Sequence, residues 1–141
     1  MFSSFLQSLV LASLHGTPGC LSLSMASKTE ELFDAVQSDT STIERIEQLI
    51  TGGADAKAID VDGGTALMAV SASGKADVAA LLLRHGANAN AANYEGWTSL
   101  MAASFGGHDE VVGLLLDCNA DTRATDSGGW TALMFASGGG E

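Results

Sequence analysis

The sequence predicts an all-α repeat protein, a solenoid of stacked helix-turn-helix pairs with hairpin-like fingers, preceded by a short apolar N-terminal segment. Three observations predict it. Sliding the chain by 33 positions superposes Thr65, Thr98 and Thr131, together with Gly63, Gly96 and Gly129, Leu67, Leu100 and Leu133, and Met68, Met101 and Met134. Self-similarity at a period of that length marks a repeat architecture. Within each period a Thr opens a run of small and apolar residues, a Gly follows, and then comes a Leu triplet, Leu81–Leu83 or Leu114–Leu116, so each unit holds two helices and a tight turn. Finally, 46% apolar residues against 16% charged supply a core and exclude a disordered chain. The 141 residues suffice for one compact domain or one array.

The first segment is set apart by charge. Residues 1–27 contain no Asp, Glu, Lys or Arg, and every charged side chain lies from Lys28 onward. Phe2, Phe5, Leu6, Leu9, Val10, Leu11 and Leu14 make an apolar stretch that breaks at His15-Gly16-Thr17-Pro18-Gly19. It is too short for a membrane span, which needs roughly 20 residues. Two readings stay open. The stretch suits the apolar region of a targeting peptide cleaved after Ser24-Met25-Ala26, although the usual basic start is missing. Alternatively, translation begins at Met25 and leads into a helix whose Ser27-x-x-Glu30 spacing fits a capping box. Both put residues 1–27 outside the working domain, residues 28–141. The expected location is cytoplasmic, or exported or organellar if residues 1–26 are a cleaved signal.

The first unit, about residues 28–60, is degenerate. Leu32, Phe33, Ala35 and Val36 line one helix, and Ile43, Ile46, Leu49 and Ile50 the next, before Gly53-Ala54-Asp55. Its Ser38–Thr42 turn reads about two residues longer than the later turns, and Glu30, Glu31, Asp34 and Glu44 give it a polar surface. Those features suit an N-terminal capping repeat with one solvated face. The second and third units, about 61–93 and 94–126, are regular. The hydroxyls of Thr65 and Thr98 can satisfy orphaned backbone N–H groups at a helix start. Ala69-Val70-Ser71 and Ala102-Ala103-Ser104 let helices approach closely, and Gly74 and Gly107 permit the turn into the Leu-rich helix. Gly86-Ala87-Asn88-Ala89-Asn90 and Asn119-Ala120-Asp121 then lead out to fingers closing at Glu95-Gly96 and Gly128-Gly129. In the fourth unit, about 127–141, a first helix with Met134 and Phe135 is followed by Gly138-Gly139-Gly140-Glu141, where a second helix is expected. The expectation is an array left half-built, with Met134, Phe135 and the Leu114–Leu116 helix uncovered, as in the N-terminal part of a longer protein.

These residues resemble the ankyrin repeat over roughly residues 28–141: Gly-x-Thr-[Ala/Ser]-Leu-Met, small residues, a Gly, the Leu triplet, then Gly86-Ala87-Asn88. One departure recurs. The family's Thr-Pro-Leu-His reads Thr65-Ala66-Leu67-Met68, Thr98-Ser99-Leu100-Met101 and Thr131-Ala132-Leu133-Met134. Losing the imidazole removes a hydrogen-bonding group, while an unbranched Met can fill its space. Without those prolines, and with 17 glycines, modest stability is expected. The resemblance implies that fingers and first helices line a concave face and that the domain binds another protein there.

Residues that break the repeat on that face are Val61, Asp62, Gly64, Tyr94, Glu95, Trp97, Ser127, Gly128 and Trp130, with Ala72, Ser73, Phe105 and Gly106 on the helices. Of these, Asp62, Tyr94, Glu95, Trp97, Phe105 and Trp130 are the candidate partner-binding residues, because large aromatics dominate binding energetics and the carboxylates suit a basic protein surface. For Trp97 and Trp130 the alternative is that each ring simply shields the neighbouring repeat. On the binding reading, Trp97→Ala weakens partner binding more than stability. A net charge of −11 repels phosphate backbones and anionic lipid, so nucleic acid and membrane surface are not expected partners.

Catalytic chemistry finds no footing. His15, His85 and His108 lack acid or nucleophile partners at informative spacings, and no Gly-x-Ser-x-Gly or phosphate-binding Gly-Lys motif occurs. Cys20 and Cys118 form no C-x-x-C pair, and His85 with Cys118, one period apart, supplies only two ligands where a structural zinc needs four. Asp77 and Asp109-Glu110 sit where negative charge complements a helix dipole. The chain is expected to be a non-catalytic protein-protein interaction module, an adaptor or scaffold without cofactor or metal. The alternative is the N-terminal regulatory or targeting portion of a larger ankyrin-containing protein whose activity lies beyond Glu141.

Overall fold

A computed structural model describes residues 21–138, and their side chains from Ser27 onward. The leader around Met1–Leu14, His15, Cys20, the cleavage motif's side chains and Gly139–Glu141 lie outside the described residues. Seven helices and no strand occur among them: α1 (Leu21–Gln37), α2 (Ile43–Thr51), α3 (Ala66–Ser73), α4 (Ala76–Arg84), α5 (Ser99–Gly106), α6 (Asp109–Asp117) and α7 (Ala132–Gly138). Helices α1, α3, α5 and α7 pack side by side in one layer, and α2, α4 and α6 in a second, with α1 on α2, α3 on α4 and α5 on α6 within the first three units. An all-α solenoid of helix pairs is what the 33-residue period predicts.

Each regular unit opens and turns by the same chemistry. Thr65 and Thr98, both extended, accept at Oγ1 from the backbone N–H of Met68 at 3.2 Å and of Met101 at 3.3 Å. Gly74 and Gly107 end α3 and α5 in the left-handed region, at φ 72° and 70°, where a Cβ would be strained. Two residues therefore suffice to reach α4 and α6. In the first unit five residues, Ser38–Thr42, separate α1 from α2, a longer excess than the sequence indicated.

The core runs through both layers. Leu32, Ile46, Leu67, Leu82, Met101 and Leu115 are its largest fully buried side chains, each worth about 1.5–3 kcal/mol on removal from water. Met68 and Met101 are buried where the family has His, consistent with thioether packing in place of a polar group. Small residues do the rest, because Ala79, Ala103, Ser71 and Ser99 are fully buried between helices.

Four placements differ from the sequence expectations. Helix α1 already includes Leu21, the first described residue, so Ser27 lies inside the helix and not at its capping position. Ile43, in the first turn of α2, and Leu116, at the end of its triplet, are exposed, since the i, i+3, i+4 stripe of a short helix buries only Ile46 and Leu49, or Val111 and Leu115. Phe135 is not uncovered, because its ring is half-buried among other aromatics.

Candidate protein-interaction face

The fingers are built by one device that the sequence reading overlooked. Asp60, Asn93 and Asp126, spaced one period apart, each use side-chain Oδ1 to accept two backbone N–H groups of their own finger. Asp60 takes those of Asp62 and Gly64 at 2.9 and 2.7 Å. Asn93 takes those of Glu95 and Trp97 at 3.0 and 2.9 Å. Asp126 takes those of Gly128 and Trp130 at 2.9 and 2.8 Å. Three residues later Gly63, Gly96 and Gly129 turn the chain at φ 77°, 78° and 79°. An Asx residue folding its own backbone is a known turn former, and the signal was the Asx-x-x-Gly spacing at period 33. Varying residue type, Asp or Asn, concealed it.

Neighbouring fingers are zipped at their tips. The Tyr94 N–H donates to the Asp62 carbonyl at 3.2 Å, and the Ser127 N–H to the Glu95 carbonyl at 2.8 Å. Asp62, Tyr94 and Glu95 are thereby set in a row along the rim, all exposed, with Tyr94 76% so. The Tyr94 ring lies over Gly63, where a Cβ would come within 3.1 Å of its carbons.

Behind the rim, four aromatic rings meet. Trp97 packs edge-on against Phe135 at 4.6 Å between centroids and against Phe105 at 6.2 Å. Phe105 and Phe135 meet at 6.2 Å, and Trp130 lies tilted on Phe135 at 5.5 Å. The three T-shaped contacts are worth about 0.5–1.5 kcal/mol each beyond area burial. The cluster joins the last turn of α5 to α7 and the second and third fingers. It brings together three of the predicted residues, Trp97, Phe105 and Trp130, and adds Phe135, which the sequence placed on an uncovered end face and not among the partner-binding candidates. The rings differ in accessibility: Trp97 is half-buried against the core, while Phe105 is 63% exposed and Trp130 49%. Tyr94 makes no ring contact with this group among the described residues.

Charge on this face has one sign. Asp60, Asp62, Glu95 and Asp126 stand on the fingers. The chain's six basic side chains, Lys28, Arg45, Lys57, Lys75, Arg84 and Arg123, all lie off the finger turns 60–64, 93–97 and 126–130 and off α3, α5 and α7. Several are committed elsewhere. Lys75 Nζ donates to the carbonyls of Val36 and Ser38 at 3.1 and 2.8 Å, Lys28 to that of Gly52, and Arg45 pairs with Glu31 at 3.2 Å.

No group of three or more metal-ligating side chains comes together among the described residues, and no helix among them is long and apolar enough to cross a membrane. Compared with known proteins, residues 32–126 match the family model of ankyrin repeats in three copies. No curated protein matches the chain.

Proposed function

The chain belongs to the ankyrin repeat family, whose arrays are generally non-catalytic modules of protein-protein interaction, and from that premise we propose that it is an adaptor that binds a basic segment of a partner protein across its fingers and first helices. One observation carries the reading: exposed aromatic rings and carboxylates share this face, and neither the finger turns nor α3, α5 and α7 carry a Lys or Arg of their own. Tyr94, Phe105 and Trp130 offer rigid apolar area at low entropic cost, and Asp62, Glu95 and Asp126 oppose a positive partner. Nucleic acid and anionic lipid are disfavoured by the same charge. The working location in this reading is the cytoplasm, and residues 28–141 are the functional domain.

The test is capture of partners from a lysate by the intact chain, compared with Tyr94→Ala and Glu95→Gln. Both residues are exposed, so neither change should unfold the array. Loss of the same basic partner with both variants supports the proposal; equal recovery by all three proteins refutes it.

A specific observation favours the second reading, that of a regulatory or targeting portion of a larger protein. Leu100, Val112, Leu116, Ala132, Leu133 and Ala136 line an open apolar groove of about 590 Å³. The Leu-Met pair buried in the preceding units is exposed here, Leu133 by 77% and Met134 by 48%. A further helix of the same protein would suit that groove, and the intact mass of the endogenous protein tests it. A mass well above 14.3 kDa supports the larger protein, and one at or below it supports the adaptor alone.

A further inference from the structure

We propose that the pocket beside the third finger is a receptor for one lysine side chain of the partner, a reading that rests on the basic-segment proposal above. Phe105, Asp126, Ser127, Gly128, Trp130 and Phe135 line an open pocket of about 490 Å³. Two aromatic faces, Phe105 and Trp130, remain substantially exposed there, and an aromatic face attracts a cation through its quadrupole. The carboxylate of Asp126 adds full charge at the same place.

The geometry of that carboxylate favours an ammonium over a guanidinium. Oδ1 of Asp126 already accepts the N–H groups of Gly128 and Trp130, so Oδ2 is the oxygen left for a ligand. A guanidinium is best recognised by both oxygens at once, whereas an ammonium is a point donor that one oxygen can satisfy. The four-carbon lysine stem, in turn, can lie along ring surface while the head reaches the acid. Charge complementarity extends past the pocket, because Glu95 lies on the next finger, joined to Ser127 through its own carbonyl. No Lys or Arg stands on the finger turns 93–97 and 126–130 themselves.

The preceding finger supplies the variant that isolates charge from structure. Asn93 makes the same two caps that Asp126 makes, so Asp126→Asn keeps the finger closed and removes only the negative charge. The experiment titrates the full chain with the peptide (Lys-Ser)4, observing by NMR the indole N–H of Trp130 and the amides of residues 126–130. Its ε-acetylated form serves as the neutral probe. Expected are saturable shifts at those resonances, a loss of affinity of roughly fivefold or more in Asp126→Asn and in Phe105→Ala, and no binding of the acetylated peptide. Glu110→Gln, the same charge change at an exposed site on α6, should leave affinity within about twofold by comparison with that cation–aromatic loss. Each variant's urea midpoint verifies its fold. Equal weakening by Glu110→Gln, retained affinity in Asp126→Asn, or equal binding of the acetylated peptide overturns the lysine pocket while leaving a basic partner in place. Failure of (Lys-Ser)4 to bind anywhere overturns both proposals.

Discussion

Ser99 is fully buried at the first position of α5, and its hydroxyl has no hydrogen-bond partner among the described residues. The equivalent positions in the neighbouring units are Ala66 and Ala132, both buried. An unpaired buried hydroxyl costs about 1–3 kcal/mol, so Ser99→Ala should raise the unfolding free energy by about 1 kcal/mol. An unchanged urea midpoint would mean that the hydroxyl finds a partner in solution. Asn119 offers a second case, being the non-glycine residue at positive φ, 59°, among the described residues, where Gly86 and Gly53 stand one and two periods earlier. Asparagine tolerates that region and alanine does not, so Asn119→Ala should cost about 1 kcal/mol and Asn119→Gly little or nothing. The two tryptophans separate on the same grounds. Trp97, half-buried and in contact with two Phe rings, should cost about 2 kcal/mol on truncation to alanine, and the more exposed Trp130 clearly less. For Trp97 the weight thus moves from partner contact towards packing, and thermal melts of both variants measure it.

Between elements, position 75 and its counterpart 108 act as latches from one unit to the one before. Lys75 donates to the carbonyls of Val36 and Ser38 near the end of α1, and the His108 ring sits 3.1 Å from the Ala72 carbonyl in the last turn of α3. Each satisfies backbone acceptors that a helix end leaves open. His108 fits because glycines flank it: a Cβ at Gly74 or Gly106 would lie 2.5 Å from a ring nitrogen. Gly74→Ala therefore meets two penalties, the left-handed backbone and the imidazole, and should cost about 2 kcal/mol or more. In the His108→Ala background the added cost should fall to about 1 kcal/mol, the backbone part alone. A double-mutant cycle by urea unfolding reads the difference, and strict additivity would deny the contact. These latches also mark where sequence reading stopped. Thr65, Thr98, Gly74 and Gly107 were legible because a helix start or end is decided by residues a few positions apart, and the 33-residue period repeats them. The His108 to Ala72 contact and the meeting of Phe135 with Trp97 join residues 36 and 38 positions apart. They arise only once units stack, and Phe135 has no aromatic counterpart in the other units, which carry Ala69 and Ala102 there. That α1 runs through Ser27 was missed for another reason, since a change in charge content at Lys28 is not itself a helix signal.

A stacked array distributes stability through its nearest-neighbour interfaces, so burial along this chain predicts an order of opening. Fully buried large side chains run through the first three units, at Leu32, Val36 and Ile46, at Leu67, Val70 and Leu82, and at Met101, Val111 and Leu115. In α7 Ala132 alone is buried, with Phe135 half-buried, while Leu133 and Met134 remain exposed. Helix α7 therefore holds to α5 largely through Ala132 and the aromatic cluster. Its opening should cost several kcal/mol less than opening of α3 or α5, which places amide exchange in 132–138 faster by about two orders of magnitude or more. The clearest amides to compare are those of Met134 and Phe135 with those of Met68 and Ala69, because the two pairs occupy the same positions in their units. Uniform protection across these pairs would mean that the array unfolds as one cooperative block, with interfaces strong enough to hide the difference in burial. A basic ligand seated on Phe105, Trp130 and Asp126 bridges α5, the third finger and, through Phe135, α7. Binding there should slow exchange in 132–138 selectively, since a ligand stabilises the state that holds its site together. Exchange measured with and without (Lys-Ser)4 thus connects the weakest helix of the array to the face proposed to bind.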